Sequence, residues 1–259
     1  MHPIINIAFR AAKDAADALA FKTDRLDRIK ILDDSDERFH TSADLESDNT
    51  LLYHIQKSYP DHTIVSRLSG THEGKVGEPI WYVDPLLGNQ NFAYGYPRFG
   101  VSIAVKNKDV VNHAVVLAPM LGDEFIASRG NGAQLNTRRI RVRQKTELTA
   151  SLIGLDFAGI DSDLFIDMQK ALLRANAKPR VSGCGPLDLL DAACGRIQGG
   201  WFGHQTEASI AAASLIFQEA GGFIGAENGN PKLDSGSEIL FGEAELFKQL
   251  VKIRMRLKS

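Results

Sequence analysis

Apolar residues Ile4, Ile7, Ala8, Ala11, Ala15 and Leu19 recur at helical spacing and predict an amphipathic helix over residues 3–20. Periodicity then fades. Residues 22–43 carry Lys22, Asp24, Arg25, Asp27, Arg28, Lys30, Asp33, Asp34, Asp36, Glu37 and Arg38, a mixed-sign run that reads as a solvated connection. Thr41 or Ser42 is placed to cap a second helix, from about residue 43 to Tyr59, with Leu45, Leu52, Ile55 and Tyr59 inward and Pro60 as the stop. Thr63–Val65 reads as a short strand and residues 67–78 as a polar, Gly-containing loop. Ile80–Val83 reads as a buried strand running into Asp84-Pro85 and the turn Leu87-Gly88-Asn89. Residues 101–106, 110–117 and 124–128 predict an antiparallel meander, and Gly130-Asn131-Gly132 a turn within it.

Beyond residue 150 strands and helices alternate. Strands are expected at 152–157, 180–182, 199–202 and 239–241. Helices are expected from Ser162 to Ala175, from Pro186 to Gly195, from Thr206 or Glu207 to Gly221-Gly222, and from Glu243 to Arg256. The third of these, ASIAAASLIFQEA, is apolar nearly all round and should lie in the interior. The pattern is that of an α/β protein with a mixed sheet. An N-terminal α+β lobe (1–150) would carry the Asp84-Pro85 corner, and a C-terminal α/β lobe (151–259) would join it in one compact unit.

Composition narrows the classes. A hydrophobic content of 44% in 259 residues supports a sizeable core. The formal net charge of -2 gives no bulk field toward nucleic acid or membrane. Arg10, Lys13, Asp14 and Asp17 break up any signal-peptide core, and no apolar run spans a bilayer. Cys184 and Cys194 lack metal-ligand spacing and read as reduced thiols of a cytoplasmic protein.

A carboxylate at the end of a buried strand, before a turn that opens a helix, is where α/β enzymes place metals and phosphates. That makes Asp84 the candidate centre. No P-loop or dinucleotide fingerprint occurs, no HxH or HExxH points to zinc, and His204, Ser209 and Asp191 lack a nucleophile elbow. Lys248, Lys252, Arg254, Arg256 and Lys258 give the last helix a basic end, read as compensation of the helix dipole, with nucleic-acid contact as the sharper alternative. Trp201 and Phe202 read as core aromatics.

Three segments then carry a resemblance. WYVDPLLGNQNFAYGYPRFGVSIAV (81–105) is similar to the W-[IV]-x-D-P-[IL]-D-G-T-x-N-F signature of the inositol monophosphatase family. GCGPLDLLDAACGRIQGGWF (183–202) resembles that family's G-S-A-A-L-D-L-x-x-V-A-A-G-R-x-D-G-F-F-E, and the stretch ending LIFQEAGG resembles its second signature. The first helix and HIQKSYPDHTIV resemble the SuhB-like bacterial branch. The resemblance covers nearly the whole chain. It implies the layered αβαβα sandwich of these sugar phosphatases, a homodimer, and phosphomonoester hydrolysis by Mg²⁺ ions caged by carboxylates between two lobes.

Position by position, much of the implied cage is absent. Arg67-Leu68 stands where the family has Glu-Glu, whose first member binds metal. Asp84 and the Leu86 carbonyl remain as metal ligands, but Leu87 replaces the second Asp, Asn89 the water-orienting Thr, and Ser209 the third metal Asp. Glu207 lies two residues from Ser209, roughly 200° around the helix, and is not placed to substitute. Phe202 falls on the acidic residue that holds a substrate hydroxyl, and Asp34 near the family's Lys; Asp44 matches the outer Asp. Asp44, Gly88, Asn89, Gln90, Gly185 and Phe202 are the candidate phosphate or substrate pocket.

The resemblance therefore implies an inactive or impaired phosphatase with a binding role. In the SuhB-like branch that role is ribosomal RNA transcription antitermination through NusA and RNA polymerase, with nucleic acid engaged only indirectly. Two alternatives stand beside it. One is an inositol-1-monophosphatase that retains Mg²⁺ in an altered site. The other is a metal-free anion site formed by Arg67 and free amides near Gly88 and Asn89.

Overall fold

The computed structural model describes residues 2–35, 38–234 and 236–257. In chain order the elements are α1 (Pro3–Lys22), β1 (Ile31–Ser35), β2 (Arg38–Thr41), α2 (Ser42–Ser58), β3 (Thr63–Ser66), β4 (Gly70–His72), β5 (Ile80–Leu87), α3 (Asn89–Ala93), β6 (Gly100–Asn107), β7 (Val110–Ala118), β8 (Asp123–Ser128), β9 (Ala133–Leu135) and β10 (Arg138–Ile140). They continue with β11 (Leu152–Asp156), α4 (Ser162–Arg174), β12 (Lys178–Val181), α5 (Gly185–Ala193), β13 (Gly199–Phe202), α6 (Glu207–Glu219), β14 (Phe223–Ala226), β15 (Ile239–Gly242) and α7 (Ala244–Arg256).

Side-chain alternation along the strands builds five layers. In the eight-stranded sheet, ordered β10-β9-β8-β7-β6-β5-β3-β4, Trp81, Val83, Ile103 and Val105 point to one face, where α1 and α2 cover them. Tyr82, Ala104, Val116 and Phe125 point to the other face, toward α5 and α6. The five-stranded sheet, β12-β11-β13-β15-β14, lays Phe202, Ile224 and Phe241 on the same two helices from the far side. Its outer face, Ile153, Leu155, Trp201 and Leu240, is closed by α4 and α7 through Met168, Leu172, Leu246 and Leu250. The result is the expected αβαβα sandwich. The apolar α6 is interior because both of its neighbours are sheets. No helix among the described residues is long and apolar enough to cross a membrane.

Several local expectations need correcting. Residues 22–43 are not a plain connection: Thr23–Arg28 forms a 3-10 turn, and β1 pairs antiparallel with β2. Ile31 and Leu32 stay about half exposed, so no burial pattern marked that hairpin. Asp36, Glu37 and Lys258 lie outside the described residues. Leu45 points outward, and the inner face of α2 is Ala43, Asp44, Ser47, Asp48, Leu51, Leu52 and Ile55. The loop after Arg67 contains β4, while β9, β10 and β14 are further short strands too brief to show a period. Asp161, not Ser162, caps α4, its carboxylate accepting from the Leu164 amide at 3.0 Å.

Candidate functional site

Four segments bring polar groups to one point. β3 and β5 run parallel and pair up to Ser66 and Val83, so the next residues, Arg67 and Asp84, emerge side by side. The Arg67 amide donates to the Val83 carbonyl at 2.9 Å, which continues the ladder one residue past β3. Asp44 arrives on the first turn of α2 through a capping box: its Oδ2 accepts from the Thr41 amide at 2.8 Å and from the Thr41 hydroxyl at 2.9 Å. Ser209 arrives on the first turn of α6, which Thr206 caps.

The Arg67 guanidinium sits at the centre. Its Nε donates to Asp84 Oδ1 at 2.7 Å, and its Nη2 donates to Asp44 Oδ1 at 2.9 Å and to the Leu86 carbonyl at 3.3 Å. The Ser209 hydroxyl donates to Asp84 Oδ2 at 2.6 Å, and the Leu86 amide donates to Asp84 Oδ1 at 3.1 Å. Asp44 and Asp84 are buried, while the Arg67 side chain keeps 21% of its surface exposed toward the cleft. Burial alone would lower the arginine's proton affinity, but the charges and hydrogen bonds of Asp84 and Asp44 outweigh it and hold its pKa above the ordinary value. The site is therefore a fixed cation between two carboxylates, every oxygen of which already has a donor.

Ser66 and Asp48 hold the Arg67 loop in place. The Ser66 hydroxyl donates to Asp48 Oδ1 and accepts from the amides of Leu68 and Ser69 at 3.0 and 3.2 Å. Ser47 on α2 donates to the Pro85 carbonyl at 2.6 Å and fastens the corner from the other side. Sequence reasoning missed Ser47, Asp48 and Ser66. The available signal was Asp44, Ser47 and Asp48 at i, i+3 and i+4, a polar stripe on a helix face that otherwise packs.

The remaining candidates divide. Gly88 has a φ of 67°, and a Cβ there would lie 2.6 Å from the Arg98 carbonyl, so this corner requires glycine. Asn89 is fully engaged: its Nδ2 donates to the Phe39 carbonyl and, at 3.4 Å, to Asp44 Oδ1, while its Oδ1 accepts the Gln90 amide at 2.9 Å. That uses an amide on which the metal-free anion site relied. Leu87 packs into the core as well as touching the cleft. Gly185 lines the cleft, and its amide donates to Asp156 Oδ2 at 3.1 Å. Phe202 does not line the cleft. It is fully buried behind Gly185 and packs on Phe241 at a centroid distance of 5.5 Å. Asp34 is exposed on β1, and Glu207 turns to Lys106 at 3.3 Å, away from Asp84. Burial holds the Cys184 thiol protonated by pushing its pKa far up, which removes it as a nucleophile.

Arg67, Asp84, Gly88, Asn89, Gln90, Gly185 and Ser209 line a cleft of about 980 Å³, with Tyr96 and Phe157 among its aromatic residues. The donor set at its floor does not fit a divalent cation. Mg²⁺ demands near-octahedral oxygen coordination. Here the two carboxylates and the Leu86 carbonyl are already bound to a guanidinium. A divalent ion about 4 Å from that charge would meet repulsion on the order of 8 kcal/mol at an effective dielectric of about 20. Among the described residues no three His, Cys, Asp or Glu side chains gather as a metal site.

Known proteins share this architecture. A sequence model of the inositol monophosphatase family matches residues 1–256. The Nus factor SuhB of Pseudomonas aeruginosa is 36% identical over 258 residues, covering 97% of this chain and 95% of that protein. The Nus factor SuhB of Haemophilus influenzae is 38% identical over 259 residues, covering 98% and 97%. The crystal structure of extragenic suppressor protein suhB from Bartonella henselae superposes with a TM-score of 0.91 at 25% identity, covering 97% of this chain and 98% of that one. With sequence, layering and the Asp84 corner in accord, the chain belongs to the inositol monophosphatase family.

Proposed function

We propose that this chain is a non-hydrolytic member of its family that works by binding, in the Nus-factor role of its SuhB relatives: ribosomal RNA transcription antitermination through NusA and RNA polymerase. The observation that carries this reading is the Arg67 guanidinium, bonded at once to Asp44, Asp84 and the Leu86 carbonyl. Metal-assisted hydrolysis needs anionic oxygens free to hold Mg²⁺ and activate water. In this chain an internal cation neutralises those oxygens and completes their hydrogen bonding.

Two measurements test the proposal. Purified protein with Mg²⁺ should show no turnover of an inositol monophosphate above the rate of an Asp84→Ala variant; turnover that Asp84→Ala abolishes would establish a working phosphatase instead. Immobilised protein should retain purified NusA or RNA polymerase, and failure to retain either overturns the antitermination role.

A further inference from the structure

The chain is close to neutral overall, but its charge is unevenly placed. Residues 133–146 contain Arg138, Arg139, Arg141, Arg143 and Lys145 and no acidic residue. Among the described residues β10 is the edge strand of the eight-stranded sheet and pairs with β9 alone. Past β10 the chain continues with the same alternation: Val142 is buried, its amide donating to the Ala220 carbonyl at 3.0 Å, while Arg139, Arg141 and Arg143 are exposed. Arg67, Arg98, Arg196 and Arg254 are each paired with carboxylates. Arg138, Arg139, Arg141 and Arg143 have no carboxylate partner among the described residues. At its far end the stripe meets α7, where the Thr146 carbonyl accepts from Gln249 Nε2. Lys252 and Arg256 lie on that same helix face, at i+3 and i+7 from Gln249.

We infer that this stripe is a binding site for the phosphate backbone of a single-stranded nucleic acid. Edge protection alone would call for charge on the strand. Here the cations continue past β10 to Lys145, where there is no strand edge to protect. Alternate residues at strand spacing recur about every 6.6 Å, comparable to the step between phosphates of an extended single strand, and the exposure of Arg139, Arg141 and Arg143 around buried Val142 follows that alternation. Four of the five cations are arginines, whose planar fork binds phosphate oxygens in pairs. Arg139, Arg141 and Arg143 fall on one line, with Arg138 beside it, and one line matches one strand, whereas a duplex would need charge on two lines. No aromatic side chain is interleaved between residues 137 and 146 to stack on bases, so the contacts are to backbone and carry no sequence preference.

Fluorescence anisotropy with labelled oligo(U) and oligo(dT) tests this on the full-length protein. Both should bind, with an affinity that falls steeply as salt rises. The triple variant Arg139→Gln, Arg141→Gln, Arg143→Gln should bind about tenfold or more weakly at low salt. Its log–log salt slope should be shallower by about 2, at about 0.7 for each phosphate no longer neutralised. An unchanged thermal melt shows that the variant is folded. Lys75→Gln and Lys232→Gln, at exposed lysines elsewhere, should leave binding unchanged. No binding by the wild type, an unchanged slope in the triple variant, tighter binding of an RNA hairpin than of oligo(U), or equal displacement of oligo(U) by polyglutamate would each overturn the assignment.

Discussion

Arg67 Nε and Asp84 Oδ1 meet at 2.7 Å one residue past the last pair of the parallel β3–β5 ladder. The same guanidinium reaches Asp44, so one side chain spans two carboxylates from separate elements. Removing it strands both. Arg67→Met is expected to lower the unfolding free energy by on the order of 3 kcal/mol, the cost of leaving buried charge uncompensated, reduced somewhat by the solvent that reaches the arginine. Arg67→Lys keeps the charge without the fork and should lose about 1 kcal/mol. Urea denaturation of the three proteins checks the order; coincident midpoints would show that the guanidinium contributes nothing.

Replacing the cation with anions should reverse the chemistry of the corner. The triple variant Arg67→Glu, Leu87→Asp, Ser209→Asp is expected to be less stable than the wild type without metal and to gain stability with Mg²⁺. The gain is about 2.7 kcal/mol when Mg²⁺ reaches a hundredfold over its dissociation constant. The wild type should show no Mg²⁺-dependent change in melting temperature. A clear wild-type shift would mean that Mg²⁺ binds despite Arg67.

Another buried carboxylate, Asp188, gives a pH dependence. Desolvation pushes the Asp188 carboxyl up to about 6, against the opposing pull of Arg98 and Ser182. Its Oδ1 accepts from Arg98 and Ser182 at 2.6 and 2.7 Å, while its buried Oδ2 has no partner among the described residues and is the place for a proton. The folded state therefore holds this proton more tightly than the unfolded chain does. Its contribution is fully present below the unfolded value near 4 and is lost as pH rises through about 6, up to about 3 kcal/mol in all. Asp188→Asn should flatten stability against pH between about 4 and 7. An identical slope in the variant would assign the dependence to other groups.

The contact between Gly185 and Phe202 should behave as a coupled pair. A Cβ on Gly185 would lie 2.7 Å from Phe202 Cγ, so Gly185→Ala is expected to cost about 1–3 kcal/mol by overpacking. In the Phe202→Leu background part of that cost should disappear, leaving a coupling of about 1 kcal/mol in a denaturation double-mutant cycle. Strict additivity would mean that the two side chains do not compete for this space.

The Ser209 hydroxyl is the remaining donor to Asp84 Oδ2. Ser209→Ala leaves that buried oxygen one hydrogen bond short and should cost about 1–3 kcal/mol, read by thermal or urea melting. Ser209→Thr can keep the bond and should lose less.

Much of the architecture was legible in the residues alone. The apolar runs at 80–83, 101–106 and 110–117, the apolar run of α6 and the helical spacing of α1 follow directly from burial on one or two faces, so they determined the layers. The sequence also determined which residue types stand at the corner: Arg67, Leu87 and Ser209 in place of acids. The hairpin of β1 and β2, and the short strands β4, β9, β10 and β14, were not legible. They run for only three to five residues, and their pairing partners decide them rather than any period of their own. Tertiary structure alone decided where the guanidinium points, since an arginine beside two acids could equally have faced solvent. It also turned Phe202 into the core, occupied the Gln90 amide with Asn89, and placed Ser209 against Asp84 across 125 positions of sequence. The physical reason is common to all of these. A periodic pattern records which face is buried, but which donor meets which acceptor is fixed only when separate elements pack and each buried polar group must find its partner.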